Sequence, residues 1–191
     1  MSKIGALVAY KGRPAHVVSS TTHKYEISFS DGSSQKVREK DFRCIHPNFS
    51  SVHSDCPKVD TSILNDLDVE SLSLKELTEW LFDDFTSQNA WFVYLMSEDG
   101  LYFFWNKDVL VIRPLDQIET IRLSRKEKAL EDESIQRCID NLRKDSYDHI
   151  DLNWIHEIEQ VALNQSKHSK AMSALSIENT PENAHRLLIK I

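Results

Sequence analysis

The segment KYEISFSDGSSQKVR, residues 24–38, decides the fold of the first part of the chain. Its first half alternates apolar and polar residues, so Tyr25, Ile27 and Phe29 share one face, as in a half-buried β-strand. Ser30-Asp31-Gly32 then predicts a hairpin turn, because glycine adopts at little cost the positive φ that tight turns require. The segment therefore predicts two antiparallel strands joined by a tight turn.

Short strands are predicted on both sides of this hairpin. They lie in GALVAY (5–10), RPAHVVSS (13–20), SQKVR (34–38) and FRCIH (42–46). Five strands are too few for a typical β-sandwich of about seven strands. The pattern fits a small SH3-like β-barrel, which we place at residues 1–48.

A winged-helix-like module is predicted after a linker. Residues 49–71 lack hydrophobic periodicity and are rich in Ser and Asp, which is typical of a linker. Ser73-Leu-Lys-Glu76 is a capping box at a helix start. Apolar residues then recur at helical spacing: Leu74, Leu77, Trp80, Leu81 and Phe85. A second helix capped by Thr86 or Ser87, and a hairpin of LYFFW and VLVIR, complete the module at residues 72–113.

The rest of the chain, residues 114–191, is predicted to be helical. The pattern from Asp116 to about Lys144 contains no helix breaker, which predicts one long helix that bends or breaks near Ser124. The last helix opens with Thr180-Pro181-Glu182, which supplies a cap, a proline at the first helical position and an acid in the first turn. This helix reaches Ile191 without a C-terminal cap, so we expect the chain to continue into a further domain. The predicted fold class is α+β and multidomain.

Composition indicates a globular protein that acts in the cytoplasm. Hydrophobic residues make up 40% and charged residues 28% of the chain. No apolar run approaches the roughly 20 residues of a membrane helix, and the N-terminus lacks the features of a signal peptide. Three cysteines, an odd number, argue against a disulfide framework and for a reducing compartment.

Charge is distributed unevenly along the chain. Residues 1–58 contain nine Lys or Arg and five Asp or Glu, whereas the remainder contains 14 basic and 25 acidic residues. A basic head on an acidic body points to an anionic partner at the barrel. Ordinary scatter of charge is the alternative interpretation.

Five basic residues are the candidate contacts to single-stranded nucleic acid. Lys36, Arg38 and Lys40 occupy alternate positions, which places them on one face of a predicted strand. Lys11 and Arg13 flank the first hairpin turn and extend the same surface.

Aromatic residues accompany this basic surface. Tyr10 or Tyr25 is available to stack on a base, and small barrels hold single-stranded nucleic acid through phosphate contacts and stacking. Two other interpretations stay open: the lysines keep the strand edges soluble, or the barrel binds a peptide.

The segment CIHPNFSSVHSDC, residues 44–56, has the composition of a zinc site. Two cysteines and two histidines are the number of ligands that structural zinc takes. Alternation directs Cys44 and His46 to the same side of their strand. His53 and Cys56, however, lie in the Ser-rich linker, without the paired Cys-x2-Cys of a strong zinc motif. We interpret the segment as a domain boundary and predict no metal site.

No catalytic motif was identified. The four glycines fall at strand starts or turns, so a Gly-rich phosphate loop is excluded. The Gly-x-Ser-x-Gly and His-Glu-x-x-His motifs do not occur either. We therefore expect no nuclease activity from this chain alone.

Two stretches resemble the ribonuclease II family of exoribonucleases. LVAYKGRPAHVVSS with YEISFSDGSSQKVREKDFRCIHP is similar to the N-terminal barrel of one bacterial branch of that family. LYFF and TPENAHRLLIKI resemble segments that lead to the catalytic domain. The sequence departs from the branch at Pro47-Asn48-Phe49, where Pro-Gly-Pro is usual, which leaves the docking angle of the barrel open.

The resemblance implies that the barrel and winged helix guide RNA into a downstream catalytic domain. That domain would bind Mg²⁺ through an aspartate cluster and hydrolyse RNA processively from the 3′ end. The cluster is not in these 191 residues, so the chain itself is expected to hold no cofactor and to pack on the catalytic domain.

Two further expectations concern partners. The second helix of the winged-helix module, AWFVYLM, is too apolar to read bases, which argues against specific DNA binding. The competing hypothesis is a stand-alone module, a barrel plus winged helix that binds protein partners.

Overall fold

The computed structural model describes residues 3–22, 24–53, 55, 57–66, 69–143 and 152–190. The chain divides into two compact units, residues 1–121 and 122–191. An antiparallel sheet is followed by a helical region, so the predicted α+β class is confirmed.

Five short strands open the first unit. They are β1 (Leu7–Tyr10), β2 (Arg13–Ser20), β3 (Tyr25–Phe29), β4 (Ser34–Val37) and β5 (Arg43–His46). The strands lie in the order β4-β3-β2-β1-β5, and a short 3-10 helix at Glu39–Asp41 precedes β5. The order agrees with the predicted SH3-like barrel, whose closure stays a prediction, and the five strands are called the barrel below. Inward-facing residues form a core of its own: Val8, Tyr10, Ala15, Val17, Ile27, Phe29, Val37 and Phe42.

A β-bulge interrupts the pairing of β1 with β5. Leu7 lies opposite His46. The next residue, Val8, lies opposite Cys44, so Ile45 is an extra residue on β5. Ile45 and His46 are both buried, whereas Cys44 is exposed. The prediction that Cys44 and His46 share one side is therefore wrong, because the bulge breaks the alternation.

The second half of the first unit has the element order of a winged helix. Its elements are β6 (Ser71–Leu72), α1 (Leu74–Phe82), α2 (Ser87–Asp99), β7 (Phe103–Asn106) and β8 (Val109–Ile112). The three strands pair in the order β6-β8-β7. Ser73 and Glu76 cap α1 reciprocally, as predicted, and Thr86 caps α2. A 3-10 helix at Thr61–Asp66 precedes β6, within the segment predicted as a linker.

The barrel and the winged helix share one hydrophobic core. Leu7 and Ile45 of the sheet belong to the same buried cluster as Leu77, Trp91 and Phe103. The apolar helix α2 packs against β5, and its central residues are buried. The predicted boundaries between barrel, linker and winged helix stay a prediction, but the two modules bury their apolar surface jointly.

His46 connects the end of β5 to the start of α2. Its Nε2 donates to the carbonyl of Phe85 at 3.2 Å, and its Nδ1 lies 3.1 Å from the backbone N–H of Asn48. The hydroxyl of Ser87 donates to the carbonyl of Asn48 at 2.6 Å. Both ring nitrogens of His46 are therefore engaged within the fold. Cys56 lies outside the described residues, and no group of three metal-binding side chains occurs among the residues that are described.

The second unit is built from helices. It contains most of α3 (Leu115–Arg143), with α4 (Leu152–Ala162), α5 (Lys170–Ala174) and α6 (Pro181–Leu188). Helix α3 continues through Ser124 without a break, and Thr180 caps α6 as predicted. The helices share a core: Cys138, Trp154, Ile158, Val161, Ala171, Met172, Ala184 and Leu187. Every helix of the described residues is too short or too polar to cross a bilayer.

Candidate nucleic-acid interface

The first hairpin turn places two cations beside two aromatic rings. Lys11 and Gly12 have positive φ angles of 51° and 74°, as a two-residue type I′ turn requires. The Lys11 Nζ lies 5.3 Å from the centre of the Tyr10 ring, and the Arg13 guanidinium lies 4.6 Å from that of Phe29. These four side chains line a cleft of 380 Å³. The turn therefore presents positive charge at the rim of a cleft.

The predicted stacking role is wrong for one of the two tyrosines. Tyr10 is buried, with Lys11 over its ring, so its ring is not available to a base. Tyr25 is half-buried and meets Phe42 edge-on, with ring centres 5.2 Å apart. Tyr25 stays a candidate for stacking, and contacts to phosphates are the main interaction that this surface offers.

Asp31 forms an ion pair with Arg13 beside the first hairpin turn. The Arg13 Nη2 lies 2.8 Å from the Asp31 carboxylate. Asp31 also accepts hydrogen bonds from the Ser33 hydroxyl and backbone N–H. These contacts lower the pKa of Asp31 to about 2. The Ser33 hydroxyl makes the largest contribution, followed by the Ser33 backbone N–H and then by Arg13. The carboxylate is therefore charged at neutral pH, and Arg13 is partly neutralised.

We expect Ser33→Ala to raise the pKa of Asp31 toward its ordinary value of 3.8 by more than Arg13→Gln does. The reason is that the Ser33 hydroxyl makes the largest contribution to the low pKa. Since the folded pKa lies below the unfolded value, this carboxylate stabilises the fold above about pH 4, and the contribution is lost as pH falls through about 2. Carboxyl ¹³C NMR titration measures the shift. A larger shift in Arg13→Gln would contradict the assignment.

The predicted strand face of Lys36, Arg38 and Lys40 is wrong. Strand β4 ends at Val37, and Arg38 instead caps the following 3-10 helix, which contains Lys40. The Asp41 carboxylate accepts from the Arg38 backbone N–H at 3.1 Å and from its Nε at 3.0 Å. This local cap turns the chain out of the sheet, so the three side chains do not follow a strand alternation.

The five predicted contacts differ in their freedom to bind a phosphate. Lys11, Lys36 and Lys40 are exposed, and none of them forms an ion pair with a carboxylate in the described part of the chain. Arg13 and Arg38 are each paired with an aspartate. Exposed ion pairs of this kind are weak, but each one occupies part of the guanidinium that a phosphate would need. The three lysines are the stronger candidates.

A second cleft, of 680 Å³, lies between β5 and the β7–β8 hairpin and is lined by both basic and acidic residues, the latter being Glu39, Asp41 and Asp108. The Arg43 guanidinium lies 3.8 Å from the centre of the Trp105 ring and donates to the Lys107 carbonyl at 3.0 Å. Lys40 lines the same cleft. Sequence analysis missed Arg43, Trp105 and Lys107, because no local pattern shows that the hairpin folds against β5.

Helices α5 and α6 follow one another in the order helix, turn, helix in the second unit. The turn spans residues 175–180, and Ser176 within it has a φ of 58°. Helix α4 packs against α6, and Ile158 and Ala184 are both fully buried in their common core. The outer side of α6 exposes His185 and Arg186. Helix-turn-helix units contact nucleic acid through the second helix of the pair.

The helices at residues 152–190 do not contribute to the excess of acidic residues in the chain. Residues 152–190 contain four basic residues, Lys167, Lys170, Arg186 and Lys190. They also contain four acidic residues, Glu157, Glu159, Glu178 and Glu182. The excess of acid therefore lies in residues 59–151. Lys170 of α5 is nevertheless paired with Glu131 of α3, so acidic residues of α3 lie beside these helices.

A helix-turn-helix arrangement is typical of nucleic-acid-binding regions. Residues 117–191 match the family model HTH_RNase_II, described as a double HTH domain. The match is consistent with a ribonuclease II-family region and indicates a nucleic-acid-binding region. No curated protein and no solved structure is significantly similar to the chain.

Proposed function

We propose that this chain is the RNA-guiding, non-catalytic N-terminal region of a ribonuclease II-type 3′–5′ exoribonuclease. The match of residues 117–191 to a double HTH domain named for that family carries the proposal. The resemblance of the barrel sequence to the same family supports it independently. The parent protein would be a cytoplasmic hydrolase whose Mg²⁺-binding aspartates lie in a separate domain.

The basic surface would guide the strand by attraction rather than by reading its sequence. Lys11, Lys36 and Lys40 are point charges that neutralise phosphates without contacting bases. Arg43, whose guanidinium lies 3.8 Å from the centre of the Trp105 ring, adds a cation at the cleft between β5 and the hairpin.

RNA binding by the purified chain tests this function. We expect a fluorescein-labelled single-stranded RNA to bind with an affinity that falls steeply with salt, since each phosphate contact contributes about −0.7 to the slope of log K against log[salt]. Fluorescence anisotropy over a series of salt concentrations measures this slope. The labelled RNA should stay intact when Mg²⁺ is added.

Two results would contradict the proposal. Absence of RNA binding would favour the stand-alone module that binds protein partners. Mg²⁺-dependent shortening of the RNA, abolished by EDTA, would instead show a nuclease within these residues.

A further inference from the structure

Trp80 departs from the pattern of its helix. Leu74, Leu77 and Trp80 recur at steps of three residues, which predicts a common buried face. Leu74 and Leu77 are buried, but Trp80 is 49% exposed. Three residues cover about 300° of an α-helix, which is about 60° less than a full turn. Two such steps displace Trp80 by about 120° from Leu74, so it lies at the edge of the apolar stripe. Its ring is therefore left in contact with solvent.

The surface around Trp80 is acidic. A cleft of 780 Å³ is lined by Trp80 together with three carboxylates, Glu76, Glu79 and Asp83. Glu79 lies 3.6 Å from Lys75, and such an exposed pair opens at little cost. The Ser73 hydroxyl donates to the Glu76 carboxylate at the start of α1, and this bond is the main cause of the lowered pKa of Glu76. The cleft thus combines an exposed aromatic ring with carboxylates that are charged at neutral pH.

We propose that this cleft docks a segment of a partner protein that presents arginine or lysine. The cation would lie over the Trp80 ring, with Glu79 and Asp83 neutralising its charge. Leu72 and Leu81 also line the cleft and would contact the aliphatic stem of the cation. The carboxylates repel phosphates, so the site does not serve RNA and does not depend on the proposed RNA function.

The negative charge of the cleft determines which kind of segment can bind there. An apolar partner alone would leave the carboxylates desolvated without a counter-charge, which is costly. An acidic segment would be repelled. A basic segment supplies a cation to the Trp80 ring and a counter-charge to the carboxylates that line the cleft.

NMR titration with a defined peptide tests the site. The probe is a Gly-Ser peptide carrying three arginines, added to ¹⁵N-labelled chain. We expect a saturable shift of the Trp80 indole N–H signal, assigned with Trp80→Phe, while the signal of the buried Trp91 stays in place. Trp80→Ala should weaken binding about fivefold, as the loss of a cation–π contact predicts. The same peptide with three glutamates should cause no shift.

Charge variants separate docking from general attraction. The pair Glu79→Gln and Asp83→Asn should weaken binding, and asparagine tolerates the left-handed φ of 66° at position 83. The matched pair Glu119→Gln and Glu133→Gln removes the same charge from exposed positions of α3 and should leave the affinity unchanged. Equal weakening by both pairs would overturn the proposal.

A second copy of the chain is the other occupant to exclude. A Trp80 signal that moves with protein concentration in the absence of peptide, together with a doubled mass in sedimentation, would assign the cleft to self-association. That result would also overturn the proposal.

Discussion

Trp91→Ala should destabilise the first unit by about 3–5 kcal/mol, as truncation of a buried tryptophan commonly does. Trp91 is 1% exposed, and its ring stacks on that of Tyr94 with centres 4.9 Å apart. Truncation would leave a cavity in the core that Leu7 and Ile45 of the barrel share with the winged helix. The loss should therefore affect both modules.

Because the core is shared, we expect the barrel and the winged helix to unfold in one transition. Urea denaturation followed by NMR can use Ile27, in the barrel's own core, and Leu77, in the shared core, as separate probes. Coincident transitions are the test of cooperative unfolding. Signals of Ile27 that persist after those of Leu77 are lost would show that the barrel folds independently.

Trp91→Phe is the matched control for the cavity. The indole Nε1 of Trp91 is buried and has no hydrogen-bond partner among the described residues. An unpaired buried donor costs about 1–3 kcal/mol, so phenylalanine removes a penalty while it retains much of the apolar volume. We expect a loss well below that of Trp91→Ala. Equal losses would mean that the cavity is not the cause.

Replacing Lys11, Lys36 and Lys40 together by glutamate should weaken RNA binding by roughly tenfold or more at low salt. The loss of three phosphate contacts should also reduce the salt slope by about 2, since each contact contributes about 0.7. Arg38 is left unchanged because it caps the 3-10 helix, and its loss would alter the local fold. Anisotropy at several salt concentrations measures both quantities.

The matched variant replaces Lys24, Lys58 and Lys126, three exposed lysines outside this set, by glutamate. The change in net charge is the same, so long-range attraction falls equally in the two variants. We expect the second variant to retain most of the affinity and the full salt slope. If the first variant also retained them, the lysines would serve solubility instead.

Features that depend on neighbouring residues were predictable from the sequence. The hairpin at residues 24–38 follows from alternation and a glycine turn, and both are confirmed in β3 and β4. The caps at Ser73 and Thr180 are also as predicted, because a side chain there bonds to a backbone only three residues away. The cations at Lys11 and Arg13 were correctly placed beside the first turn for the same reason.

Features that depend on distant contacts were not predictable. Strand periodicity suggested one face for Lys36, Arg38 and Lys40, but the bond from Arg38 to Asp41 competes with strand pairing and prevails. The stacking of Arg43 on Trp105 joins residues that are far apart in the sequence, so no local pattern indicates it.

Residue order alone was therefore sufficient for most strands and helices and for the sign of the charge at the barrel, since propensity, capping and turn chemistry act over a few residues. Packing in three dimensions determined the bulge at Ile45, the burial of Trp91 and the exposure of Trp80. The physical reason is that each of these depends on which surface another part of the chain covers.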